Sequence, residues 1–79
     1  MEYQFADYFE NEVLRKRSFL KRDWAIKVIE KPLNSEEQPD GRVRHWGRIE
    51  EFDDKVFRVV VLADGRTILN MLPDRSFKQ

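Results

Sequence analysis

The chain has 79 residues, in which 15 basic side chains balance 15 acidic ones, with one histidine and no cysteine. Such a length corresponds to one domain, residues 1–79, and this composition excludes disulfides and cysteine-ligated zinc and makes any metal or cofactor unexpected. No apolar run reaches the ~20 residues that span a bilayer, and the acidic N-terminus does not resemble a signal peptide, so we expect a cytoplasmic protein without a membrane role.

The first half of the chain shows helical periodicity. Large apolar residues recur at three- and four-residue spacing and predict a helix over residues 5–16. A turn at residues 17–20 separates it from a second helix over residues 21–31, in which Leu20, Trp24 and Val28 recur at four-residue steps. Pro32 ends this helix, because proline lacks an amide donor and disfavours helical geometry in the residue before it.

The second half of the chain shows strand patterns. Strands are predicted over residues 42–50, 55–62 and 66–72, and the pair Asp64-Gly65 is a hairpin signal between the last two. A short extended piece at residues 36–38 is an optional fourth strand. The predicted fold is α+β, with two N-terminal helices packed on a three-stranded antiparallel meander in the order α-α-β-β-β.

Strand alternation predicts two different faces for this sheet. One face is apolar and is expected to lie under the helices; it carries Val43, Ile49, Phe57, Val59 and Val61. The other face is expected to be open; it carries Arg42, Arg44, Trp46, Arg48 and Arg58. A surface that combines guanidinium groups with an indole is suited to an anionic ligand with flat rings, and RNA meets both demands.

Charge is segregated along the chain although the net charge is zero. Residues 15–22 carry five basic groups in eight positions, while residues 2–12 carry only acidic ones. Such segregation creates a local field that a neutral total does not reveal. Arg15, Lys16 and Arg17 are therefore predicted to bind phosphate, although a cluster of charges at a helix C-terminus is an equally ordinary explanation.

Three segments resemble a family of short bacterial proteins of unknown function. They are RVRHWGRIEE, FRVVVLADGRTILN and PDRSF, which match an R-x-W-G-x-I-E strand, an R-V-V strand with a D-G hairpin, and a terminal D-R-x-F. The resemblance covers roughly residues 8–77. The order of elements is also similar to RelE and BrnT-like toxins of toxin–antitoxin pairs, which implies metal-free cleavage of mRNA and an antitoxin partner. Because those toxins differ in their catalytic residues, the resemblance assigns no individual role.

Metal-free RNA cleavage needs a base, a cation beside the phosphate and an acid. Arg58 is the predicted catalytic cation, since a guanidinium binds phosphate oxygens bidentately. His45 is the predicted acid or base, because its ordinary pKa is near neutrality. Strand alternation nevertheless directs His45 away from the arginines, and the alternative is a partly buried histidine with a satisfied hydrogen bond.

The predicted nucleic-acid-binding residues have structural alternatives. The sheet arginines are equally explained as a solvated face with ion pairs to Glu50 or Asp74, which contribute little stability. Trp46 either packs under a helix or loop or stacks on a ligand. Arg75 either contacts nucleic acid or pairs back on the sheet while Phe77 packs beside it.

Two functions follow from these patterns. The first is an RNA-binding protein of the toxin–antitoxin type, either a binder or a metal-free endoribonuclease, that acts through the arginine face. The second is a non-catalytic protein–protein interaction module that uses the same Arg and Trp side chains. Its partner would be an acidic or antitoxin-like protein, or a second copy of the chain in a homodimer.

Overall fold

The computed structural model describes residues 2–77, which form one five-stranded sheet and two helical segments. Helix α1 has a π-helical part and a short α-helical end, and α2 is a regular α-helix. The elements in chain order are β1 (Gln4–Phe5), α1 (Phe9–Val13 and Leu14–Lys16), α2 (Arg22–Glu30), β2 (Asn34–Glu37), β3 (Val43–Ile49), a 3-10 turn (Glu50–Phe52), β4 (Lys55–Val61) and β5 (Thr67–Pro73).

The predicted architecture of two helices on a three-stranded antiparallel meander is wrong. The sheet is mixed and has the strand order β1-β5-β4-β3-β2, with β1 parallel to β5 and all other pairs antiparallel. The three predicted strands form its centre as β3, β4 and β5. The two additional strands lie at the edges, where β1 occupies the predicted start of the first helix and β2 overlaps the optional piece at residues 36–38.

One face of the sheet carries the core. Ile49, Phe57, Val59 and Val61 are at most 2% exposed, in agreement with the predicted helix-covered face. Helix α2 approaches β3 so closely that a Cβ on Gly47 would lie 3.2 Å from Val28 Cα. Glycine at this position therefore allows the helix to lie directly on the strand, and no polar or charged side chain is buried with it in the described chain.

Two tight turns set the geometry at one end of the sheet. After α1 the chain turns through residues 17–20, where Leu20 N donates to Arg17 O at 3.0 Å, and the Leu20 side chain enters the core. Between β3 and β4, Asp53 and Asp54 both adopt positive φ, 58° and 57°. Aspartate tolerates this left-handed region better than most residues, so the chain can reverse without glycine.

Within residues 2–77 no helix has the length and apolar character needed to cross a bilayer.

Candidate functional site

The predicted arginine face lies opposite α2. In the register of β3 and β4, Trp46 is paired with Arg58, Arg44 with Val60, and Arg48 with Val56, so these side chains share the face that the helices leave uncovered. Arg42 is different because β3 begins only at Val43. The Arg42 side chain lies at the turn before the strand, 3.5 Å from Asp40.

Trp46 packs beneath the C-terminal segment, the arrangement that sequence analysis gave as the alternative to ligand stacking. Its side chain is only 8% exposed, and its ring stacks on Phe77 with centroids 5.6 Å apart. The indole Nε1 donates a hydrogen bond to Asp74 Oδ2 at 2.9 Å. Phe77 therefore occupies a place on the Trp46 ring where a base would have to stack.

Asp74 organises this face. Its carboxylate accepts hydrogen bonds from Trp46 and from both the backbone N and the Oγ of Ser76, at 3.0 and 2.7 Å. Arg58 Nη1 lies 3.9 Å from the same carboxylate. The Ser76 hydroxyl and then the Trp46 indole lower the pKa of Asp74 below its ordinary value. Arg58 is thus engaged in structure beneath the C-terminal segment, whereas its predicted role was in catalysis.

Arg44 and Arg48 are held by neighbours on the same face. Arg44 lies 3.6 Å from Glu36 of the edge strand β2, and Arg48 Nη1 donates to the backbone oxygen of Asp54 at 3.2 Å. Both side chains remain accessible, so these contacts orient the guanidinium groups and still leave them open to a ligand. The ion-pair partners differ from the predicted Glu50, because β2 supplies an acidic edge that sequence analysis did not place there.

His45 lies on the helix-covered side of the sheet. Its Nδ1 is 2.7 Å from Ser35 Oγ, and partial burial lowers its pKa below 6.5. The thickness of the sheet therefore separates His45 from Arg44 and Arg48. Among residues 2–77, the structure brings no group with a pKa near neutrality to the arginine face, which leaves the predicted acid–base pairing without its geometry.

A groove lies at the end of the sheet where β3 ends, β4 begins and β5 ends. We call it the end groove; its volume is about 580 Å³. Its apolar lining comes from Phe19, Phe52, Val56, Pro73 and Phe77. Its charged lining comes from Arg48, Asp54, Lys55, Asp74 and Arg75. Two of these elements are exposed aromatic surface: Phe19 is 43% exposed and stacks on Phe52 with centroids 5.0 Å apart.

The end groove brings together the two basic clusters of the sequence. Phe19 lies in the turn that follows Arg15, Lys16 and Arg17, so this cluster is within four residues of the groove wall. Arg15 and Lys16 are exposed, and Arg17 is half-buried. The remainder of the basic stretch is committed elsewhere, since Arg22 forms an ion pair with Glu10 across α1 and α2.

Sequence analysis missed four of the residues that form the groove. They are Phe19, Phe52, Lys55 and Phe77. Phe19 did carry a signal, because a phenylalanine inside the basic run RKRSFLKR is an unusual residue for a solvated turn. Lys55 and Phe52 carried none, since only the reversal at Asp53 and Asp54 brings them beside Phe19. Arg75, which was predicted, is exposed and lines the groove.

Metal ligation finds no cluster in the described part of the chain, where no three side chains of His, Asp or Glu lie close enough to hold an ion. Comparisons with protein families, with curated proteins and with solved structures give no match to this chain. Its function must therefore be argued from the end groove itself.

Proposed function

We propose that this chain binds single-stranded RNA in the end groove. The observation that carries the proposal is the juxtaposition of an exposed phenylalanine pair, Phe19 stacked on Phe52, with the cations Arg48, Lys55 and Arg75. Proteins that bind single strands combine cations that follow the phosphates with aromatic rings on which bases stack. The resemblance to toxins that act on mRNA agrees with this ligand and with a cytoplasmic location.

Single-stranded RNA fits this groove better than a duplex does. A duplex keeps its bases stacked on each other, so its bases are not available to Phe19, and it is recognised mainly through phosphates and hydroxyls over a longer surface. The groove is also short of neutral hydrogen-bonding side chains that would distinguish one base from another. We therefore expect weak sequence preference and an affinity that depends strongly on salt.

Binding without cleavage is the better supported form of the RNA hypothesis. Cleavage needs a proton acceptor beside the phosphate, and His45 lies on the opposite side of the sheet. Arg58, the other predicted catalytic residue, is paired with Asp74 beneath the C-terminal segment. A toxin-like nuclease would have to rearrange both side chains, whereas a binder needs only the surface that is already assembled.

The direct test is fluorescence anisotropy with a labelled oligouridine, at low salt and in EDTA. Phe19→Ala is expected to weaken binding by about 1–3 kcal/mol, the effect of losing one base–aromatic stack. Arg75→Ala is expected to weaken binding and to reduce the slope of log affinity against log salt by about 0.7. Circular dichroism should show both variants folded, because both side chains are exposed.

Arg66→Ala is the matched control. It removes one exposed positive charge from the turn before β5, at the end of the sheet opposite the groove. Equal weakening by Arg66→Ala and Arg75→Ala would show that binding is non-specific attraction to charge. A wild-type protein that binds no oligonucleotide but binds an acidic peptide would replace the proposal with the protein–protein interaction module. Gel analysis of the same samples detects cleavage, which we expect to be absent.

A further inference from the structure

A second groove lies beside the C-terminal turns of α2, and we call it the helix groove. Its volume is about 390 Å³, and it is lined by Lys27, Glu30, Lys31, Arg48 and Glu50. Arg48 also lines the end groove. The two grooves therefore meet at one guanidinium group, on the edge of the sheet that β2 leaves uncovered beyond Trp46.

The charge of the helix groove depends on its lysines. The C-terminal end of a helix carries a partial negative charge and by itself disfavours an anion. Lys27 and Lys31 offset this effect, and Lys27 is already paired with Glu51 outside the groove. Lys31 is exposed just after the helix ends and is the cation best placed to meet a phosphate.

We infer that an RNA strand bound in the end groove continues past Arg48 into the helix groove. This inference rests on the proposed function and defines the path of the ligand. A guanidinium carries five N–H donors in a planar fork, so its bond to the Asp54 backbone oxygen is compatible with a phosphate contact. Arg48 contacts the phosphate between the two grooves, and Lys31 contacts the next one along the strand.

The path predicts that the effect of Lys31 depends on the length of the ligand. Binding of oligouridines of about two to about ten nucleotides is measured at several salt concentrations, a range that spans the site sizes of small single-strand binders. Short oligonucleotides fill only the end groove, so Lys31→Ala leaves their affinity unchanged. For long ones, Lys31→Ala lowers affinity and reduces the slope of log affinity against log salt by about 0.7.

Glu30→Gln is the complementary variant, because it removes a negative charge from the same groove without shortening the side chain. It is expected to raise the affinity for long oligonucleotides and to leave short ones unaffected. The path is overturned if Lys31→Ala and Glu30→Gln act equally on short and long ligands, or on neither, while wild type still binds. Absence of wild-type binding at every length overturns the proposed function as well, which separates the two failures.

Discussion

The two faces of the central strands are built on different physical principles. On β4, Phe57 and Val59 are fully buried beneath α2, and their stabilising effect comes from the apolar surface that they remove from water. Their neighbours Val56 and Arg58 point to the other side, which is covered only in part by residues 74–77. That side depends on the Asp74 carboxylate and a single aromatic stack.

This difference separates folding from function within one strand. A face that depends on burial responds to any loss of volume, because the surrounding core cannot fill the space. A face that is organised by a few polar contacts can change its ligand-binding side chains at little cost to the fold. The end groove lies on the second kind of surface, which is why its variants are suitable tests of function.

The largest expected effect is on the buried face. Phe57→Ala should lower the free energy of unfolding by about 3–5 kcal/mol, since it creates a cavity at a fully buried site. Val56→Ala, one residue earlier on the partly covered face, should cost about 1 kcal/mol or less. Urea unfolding followed by tryptophan fluorescence measures both. Equal costs for the two variants would contradict the distinction between the faces.

An intermediate effect is expected at Asp74. Asp74→Ala removes the acceptor of the Trp46 indole and the ion-pair partner of Arg58, and should cost about 2 kcal/mol. Glu36→Ala breaks the exposed ion pair with Arg44 on the same face and should cost no more than about 1 kcal/mol. The Trp46 emission should shift to longer wavelength only in the first variant.

Acid provides an independent measurement of the same carboxylate. The folded pKa of Asp74 is below its ordinary value of 3.8, so protonation favours the unfolded state. Its stabilising effect is complete above the ordinary pKa and is lost as the pH falls through the folded value. The stability difference between wild type and Asp74→Asn should therefore shrink on acidification below about pH 4. A constant difference across this range would argue against an ionised Asp74 in the folded state.

The smallest effect is expected at His45. Burial lowers its pKa below 6.5, so the folded chain favours the neutral ring, and stability decreases as the pH falls from 6.5 through the folded pKa. An NMR titration of the ring protons should show this displacement. His45→Gln should leave RNA affinity at pH 7 unchanged, because the ring lies on the side away from Arg44 and Arg48. Loss of binding in a folded His45→Gln would return this residue to the functional site.

The sequence was most informative where side chains alternate. Strands β3, β4 and β5 lie within about two residues of their predicted ends, because apolar residues recur at every second position along most of their length. The edge strands gave no such pattern. All four residues of β2 are exposed, and β1 has only two residues, so neither shows a buried side. Periodicity cannot detect a strand that has no buried face.

The candidate site was predictable only in part for a related reason. Arg48 and Arg75 could be selected by residue type, since guanidinium groups are suited to phosphate. The groove between them depends on Phe19 and Phe52, which meet through two chain reversals that are distant in sequence. The covering of Trp46 by Phe77 was one of two alternatives, because alternation assigns a side chain to a face but does not show what lies over that face.

The pairing of β1 with β5 joins nearly opposite ends of the described chain. During synthesis, Gln4 and Phe5 leave the ribosome long before Thr67 and Ile68, so this edge of the sheet stays incomplete until the final strand has emerged. Contacts between distant residues also form slowly, because closing a long loop costs entropy before any contact compensates for it. We expect β1 to be the last strand to gain amide protection during refolding, after the β3–β4–β5 meander has formed.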